Sequence, residues 1–179
     1  MRQRAALSPS STGLVVEHHS NHGPARQIDQ EVQVLNHCFD DIERFVPRLQ
    51  AGVQAAREIE KRARQRRSKK KQGDATATAL TMRAQLPQPN SFIDVFQKFK
   101  LSFNLLARLK AHIHDPNAPE LVHFLFTPLT LIVNSLRDMS VQIPELKGIT
   151  RSVWLPLVSR DAKELLLNCL TSKEQDLWV

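Results

Sequence analysis

Apolar residues set the first element. From Ile28 they fall at Ile28, Val32, Leu35, Phe39, Ile42, Val46, Leu49, Val53 and Ala56, in steps that alternate between four and three. That spacing predicts a helix with a heptad seam, two apolar positions in every seven. Cys38 and Phe45 widen the seam into a face, which suits packing on other helices of the same domain as well as a coiled coil. Asp29 and Glu31 lie near its start, where the helix dipole favours carboxylates. Pro47 interrupts the pattern. It removes a backbone donor and crowds the preceding turn, so a kink or break is expected near residues 43–47. Past Ala56 the seam gives way to cations: Arg57, Lys61, Arg62, Arg64, Arg66, Arg67, Lys69, Lys70 and Lys71, with Glu58 and Glu60 the acids among them. The expected first unit is therefore a long amphipathic helix over residues 28–71, ending in a basic run.

Residues 72–90, QGDATATALTMRAQLPQPN, are small and polar with two prolines, and read as a linker with a short extended piece at Ala79–Arg83. Ser91 followed by Asp94 is a capping-box pattern for a second helix. Its apolar face is Phe92, Phe96, Phe99, Phe103, Leu106, Leu109 and Ile113, broadened by Val95 and Leu105. It should stop at His114, because Asp115 precedes Pro116 and is pushed out of helical geometry. Asn117 with Glu120 repeats the cap, and Pro119 suits a first turn. The stretch ELVHFLFTPLTLIVNSL is apolar nearly all round and should be the central helix, bent at Pro128, with His123 a hydrogen-bonded core histidine.

A loop over residues 138–150 leads to a short helix, Thr150 to Val158, carrying Val153, Trp154 and Leu157. Ser159 caps a last helix with Ala162, Leu165, Leu166 and Cys169 inward. Leu177 and Trp178 follow, an apolar pair at a bare end that reads as a cut from something longer. No stretch alternates as a strand and no repeat recurs. The expected fold is all-α: the long amphipathic helix plus a compact helical bundle over 91–179. Phe96, Phe103, Leu106, Leu125, Leu129, Ile132 and Leu165 are its expected buried residues.

Composition adds boundaries to this picture. Residues 1–27 hold Ser, Thr, Pro, Gly and polar residues around one short LVV run, too little apolar surface to offset ordering entropy; a disordered leader is expected. His18, His19 and His22 lack a fixed geometry and a fourth ligand type, so no metal is assigned to them. The start lacks the apolar core of a secretory signal, and no apolar run reaches membrane-spanning length. Two cysteines, Cys38 and Cys169, sit far apart, which suits a reducing cytoplasm, with Cys38 a buried filler.

The chain of 179 residues carries a formal charge of +7, concentrated in the basic run. Three readings of that run compete: a solvated helix end, a patch for anionic lipid or an acidic protein surface such as the actin filament, and a nucleic-acid or nuclear-import element. A leucine-zipper factor places its basic region before the heptads; here it follows them, which counts against DNA. Templates for catalysis fail. There is no phosphate-binding glycine loop and no G-x-S-x-G turn. Asp40 and Asp41 are adjacent, so they diverge around a helix and cannot act as a couple. No cofactor is implied, and the chain reads as non-catalytic.

EVQVLNHCFDDIERFVPRLQ (31–50), the basic run, and FIDVFQKFKLSFNLLARLKAHIHDPNAPELVHFLFTPLTLIV (92–133) together resemble the epidermal growth factor receptor kinase substrate 8 family and its like-named relatives, over roughly residues 28–178. The resemblance implies a cytoplasmic adaptor, extending to the cell cortex, that links receptor tyrosine kinase signalling to Rac activation and actin remodelling. In that family the segment follows a phosphotyrosine-binding domain and precedes an SH3 domain and an actin-binding effector region. The partners it implies are an Abl-interactor protein and a Son-of-sevenless exchange factor. The residues quoted correspond to the middle region, behind an unrelated leader. Phosphotyrosine, SH3 and capping activities therefore do not fall on them, and no ligand-binding residue carries over. The expected role is a helical spacer and interaction module; a membrane-surface module using the basic run comes second, and a nucleic-acid binder last.

Overall fold

The structure, a computed structural model, describes residues 22–66 and 73–178. Most of the expected disordered leader and four of the basic residues, Arg67, Lys69, Lys70 and Lys71, lie outside the described residues. Six α-helices follow in order: α1 His22–Arg66, α2 Gly73–Gln85, α3 Pro89–Leu109, α4 Ala118–Met139, α5 Arg160–Cys169 and α6 Ser172–Trp178. Two short 3-10 turns, Pro144–Leu146 and Ile149–Ser152, sit between α4 and α5. Among the described residues there is no strand, and the all-α expectation holds.

The seam of α1 faces inward as its spacing requires. Leu35, Phe39, Ile42, Leu49 and Ala56 are buried, and Ile28 and Val46 pack at the edge of the same core. Contact with α3 is antiparallel: the Phe45 ring meets the edge of Phe92 at 5.3 Å, Asp41 pairs with Lys98, and Glu31 pairs with Arg108. On the far side α3 packs on α4, with the Phe103 and Phe126 rings 5.5 Å apart. All seven residues expected in the core are buried. Cys38 is buried too, and that burial pushes its thiol pKa up.

Several boundaries differ from expectation. First, α1 begins at His22, inside the expected leader, and runs 45 residues without a break at Pro47. Pro47 is exposed, so water can serve the carbonyl one turn back, while Ile42, Phe45 and Leu49 hold both halves against the core. Second, the expected linker contains a helix. Residues 73–85 form α2, which packs against α1 and buries Met82, with Leu86 buried just beyond it. Its apolar face is built from alanines and one methionine, so it carries little of the periodic signal that marks α1. The two helices approach so closely that a Cβ on Gly52 would lie 2.5 Å from the Gln85 carbonyl oxygen.

Third, α3 starts at Pro89 behind Gln88, with no side-chain cap. Ser91 does not cap it, and Asp94 instead pairs with Lys98 at 2.6 Å. Pro89 in the first turn needs no donor, which makes a cap less necessary. α3 also ends at Leu109 rather than at His114. Ile113 remains buried in the turn that follows, so apolar spacing continues past the helix end and could not mark it.

The capping box at Asn117 forms as the sequence indicates: Glu120 N donates to Asn117 Oδ1 at 3.0 Å and Asn117 N to Glu120 Oε2 at 2.9 Å. By length and composition α4 is apolar enough to cross a membrane, which the sequence reading did not grant it. In this fold Leu121, Val122, Leu125, Leu129 and Ile132 are buried in the protein core. His123 is hydrogen-bonded, but at the edge of the bundle: its side chain is 41% exposed, and Nδ1 lies 2.9 Å from Glu174 of α6.

The helix expected from Thr150 to Val158 is also absent. After the turn at Ile149–Ser152 the chain continues without regular structure, bending at Pro156, to Ser159, which caps α5 by accepting from Ala162 N at 3.2 Å. Trp154 and Leu157 are exposed.

Candidate functional site

The last three turns of α1 carry the cations singled out in the sequence. Lysine and arginine stems lose little rotamer freedom in a helix, so the basic stretch continues α1 with no cost in propensity. Its inward side shrinks to Ala56, Ile59 and Ala63, with Glu60 at the edge. Arg57, Lys61, Arg62, Arg64 and Arg66 are all exposed. Three- and four-residue steps align Arg57, Lys61 and Arg64 in one stripe; Arg62 and Arg66 form a second. The two stripes spread the charge around the solvent side rather than focusing it on one point.

The first stripe borders an open hollow of about 370 Å³, lined by Arg57, Glu60, Lys61, Arg64 and Gln65. Two of its cations have local counterions. Arg57 lies 3.6 Å from Asp138 at the end of α4, with both side chains more than half exposed. Arg64 lies 2.6 Å from Glu60. Glu60 also accepts from Gln142 Nε2 at 3.2 Å, which ties the helix end to the loop after α4. Exposed pairs of this kind contribute under about 1 kcal/mol each, so an incoming anion can compete for them. Among the described residues, Lys61, Arg62 and Arg66 have no carboxylate partner. The arrangement can receive carboxylates or phosphates from a larger surface. It does not enclose a small ligand, because the hollow is open and shallow walls leave its contents solvated.

Sequence reasoning placed these cations on a helix correctly. It did not foresee Asp138 and Gln142 beside them, since a contact across about eighty residues leaves no local trace. A second feature was missed although a signal existed. Thr171 and Glu174 form a reciprocal cap, with Thr171 N donating to Glu174 Oε2 at 2.7 Å and Glu174 N to Thr171 Oγ1 at 3.3 Å. T-S-K-E is the capping-box spacing, and it begins α6. Burial alone would raise the Glu174 pKa, but the bonds from His123 and Thr171 outweigh it and hold the carboxyl below its ordinary range. Among the described residues no group of three His, Cys, Asp or Glu is placed to hold a metal ion.

Comparison with known proteins places the chain in a family. The family model described as the EPS8 spectrin-like domain matches residues 30–179. The chain belongs to the EPS8 spectrin-like domain family. The match takes in most of α1 and every later helix, so the basic end of α1 is part of the domain. Over 155 residues the chain is 44% identical to human epidermal growth factor receptor kinase substrate 8, covering 87% of this chain and 18% of that protein. It is 48% identical over 155 residues to human epidermal growth factor receptor kinase substrate 8-like protein 2, covering 86% and 20%. For human like-protein 1 the figure is 45% over 152 residues, covering 85% and 20%. The chain thus spans about a fifth of the length of the curated relatives it matches. No solved structure matches it significantly. The relatives are named as epidermal growth factor receptor kinase substrates or proteins like them.

Proposed function

We propose that this EPS8 spectrin-like domain is a non-catalytic interaction module of a cytoplasmic adaptor, one that links receptor tyrosine kinase signalling to Rac activation and actin remodelling at the cell cortex. The family match over residues 30–179 carries the adaptor reading. The contact surface is the basic end of α1, and its partner is an acidic protein surface in the actin-regulatory assembly, which includes the exchange-factor complex the family suggests. Three observations support this. Lys61, Arg62 and Arg66 have no carboxylate partner among the described residues. The pairs on Arg57 and Arg64 are exposed and exchangeable. The seam that would otherwise form a coiled coil is already consumed by α2, α3 and α4, which leaves the charged end as the free part of α1.

Co-sedimentation with actin filaments and with phosphatidylserine vesicles, across a salt series, tests the assignment. Filament binding that falls with salt, and falls again when Arg57, Lys61, Arg62, Arg64 and Arg66 become Gln, supports it. Binding to vesicles alone moves the same residues to a membrane role. Binding to neither leaves them a solvated helix end.

A further inference from the structure

Among the described residues, Arg57 is the one cation of the basic stretch whose ion pair reaches another helix. Its Nη2 lies 3.6 Å from Asp138 Oδ2 at the end of α4. Nothing in α4 itself calls for an acid there. Asp138 is in the last turn of Ala118–Met139, where the helix dipole disfavours a carboxylate. Arg137 suits that end, but successive side chains stand about 100° apart around a helix, so the two neighbours point different ways. The charge that offsets Asp138 comes from α1.

The pair is loose. Its side chains are 59% and 60% exposed, and 3.6 Å is beyond a normal hydrogen bond, so water and a second anion reach both groups. Glu60, the acid that lines the hollow with Arg57, Lys61 and Arg64, is held differently. Its side chain is 20% exposed, and its Oε1 accepts from Arg64 at 2.6 Å and from Gln142 at 3.2 Å. Glu60 is a tie within the fold, whereas Asp138 is a counterion that can leave. The remaining acid of the stretch, Glu58, is exposed and has no ion-pair partner among the described residues.

We propose that Asp138 is an internal competitor for the contact surface: it occupies Arg57 in the free domain and yields it to a carboxylate of an acidic protein partner. This role rests on the reading of the basic end of α1 as a contact surface, and it sets how tightly that surface binds. A partner carboxylate that takes Arg57 must displace Asp138, so the internal pair lowers the affinity by its own strength. Linkage makes the effect reciprocal: partner binding frees Asp138 and loosens the hold of α1 on the end of α4. The bond from Gln142 to Glu60 keeps the two elements together meanwhile, so the exchange needs no unfolding. With Asp138 displaced, Arg57, Lys61 and Arg64 face one acid, Glu60, across the hollow.

The test compares Asp138→Asn with Glu58→Gln, each alone and each combined with Arg57→Gln. Binding is read at low salt by co-sedimentation with actin filaments and by titration with an oligoglutamate peptide. Both single changes remove one negative charge near the surface, but Asp138→Asn alone frees a guanidinium. It should tighten binding by about two- to fivefold, the range of an exposed ion pair, and by more than Glu58→Gln does. In the Arg57→Gln background the two changes should have the same effect. Circular dichroism of Asp138→Asn should match that of the parent.

Equal gains from the two changes in the parent overturn the proposal, because net charge alone then accounts for them. So does a gain from Asp138→Asn that persists undiminished beside Arg57→Gln. Filament binding without this coupling keeps the contact surface and removes the competitor. Coupling with oligoglutamate but no filament binding keeps the competitor and removes the filament as partner. Binding of neither probe by any of these proteins overturns both.

Discussion

Gly52 offers a test in which the sign of the effect decides. In the interior of a helix, Gly→Ala ordinarily stabilises by about 1 kcal/mol, because glycine has more backbone freedom to lose. Were residues 72–90 a linker, Gly52→Ala on α1 would follow that rule. With α2 docked, the new Cβ lies 2.5 Å from the Gln85 carbonyl oxygen and 3.4 Å from Leu86 Cα, both backbone atoms that cannot rotate away. Ordinary contact begins at 3.4 Å, so α1 and α2 must separate by about 0.9 Å. Overpacking of that order costs about 1–3 kcal/mol, which outweighs the propensity gain and leaves a net loss of about 1 kcal/mol. Urea unfolding followed by circular dichroism measures it: the midpoint should fall with an unchanged slope. Gly23→Ala, with nothing within 4 Å of its Cβ, is the control and should not lower the midpoint. A Gly52→Ala midpoint above that of the parent would refute the docking of α2.

Other perturbations reach other parts of the fold. Phe103→Ala, at a site with no exposure and a ring against Phe126, should cost about 3–5 kcal/mol in the same urea assay; a loss below about 1 would contradict its central position. Pro47→Ala should raise stability, by up to about 3 kcal/mol, because α1 already runs through the site and regains a backbone donor; a fall would mean that the proline relieves strain. Glu174 has a folded pKa below its unfolded value, so its contribution is present above the ordinary carboxylate range and is lost as pH falls through the depressed one. Acid titration should therefore release α6 early, read as faster amide exchange there, and Glu174→Gln should remove that pH dependence.

The parts of this fold visible in the sequence are those where large apolar side chains recur at helical spacing. The seam of α1 and the phenylalanines of α3 are of this kind. The cap at Asn117 was legible because its chemistry is local. α2 was hidden because Ala and Thr bury little and leave a weak stripe, while its docking depends on Gly52 some thirty residues earlier. The irregular run after Ser152 was misread because Val153, Trp154 and Leu157 fit a helical spacing by chance, whereas its backbone is held by Lys100 and Asn104. For the candidate site, the exposure of the described cations, Arg57, Lys61, Arg62, Arg64 and Arg66, was legible. Their neighbours Asp138 and Gln142 were not, because tertiary packing alone brings them there.

The central claim is that the basic end of α1 is a contact surface and not a solvated end. The most direct measurement is quantitative co-sedimentation with actin filaments, comparing the parent with the variant in which Arg57, Lys61, Arg62, Arg64 and Arg66 are Gln. None of these residues lies on the buried seam, and their ion pairs are exposed, so the two proteins should melt within a few degrees of each other. Charge attraction at an exposed surface is screened over about 10 Å at moderate salt, so parental binding should weaken steeply as salt rises. The account predicts strong binding by the parent at low salt and a loss of about tenfold or more in the variant. Equal sedimentation of both proteins at every salt concentration would contradict it.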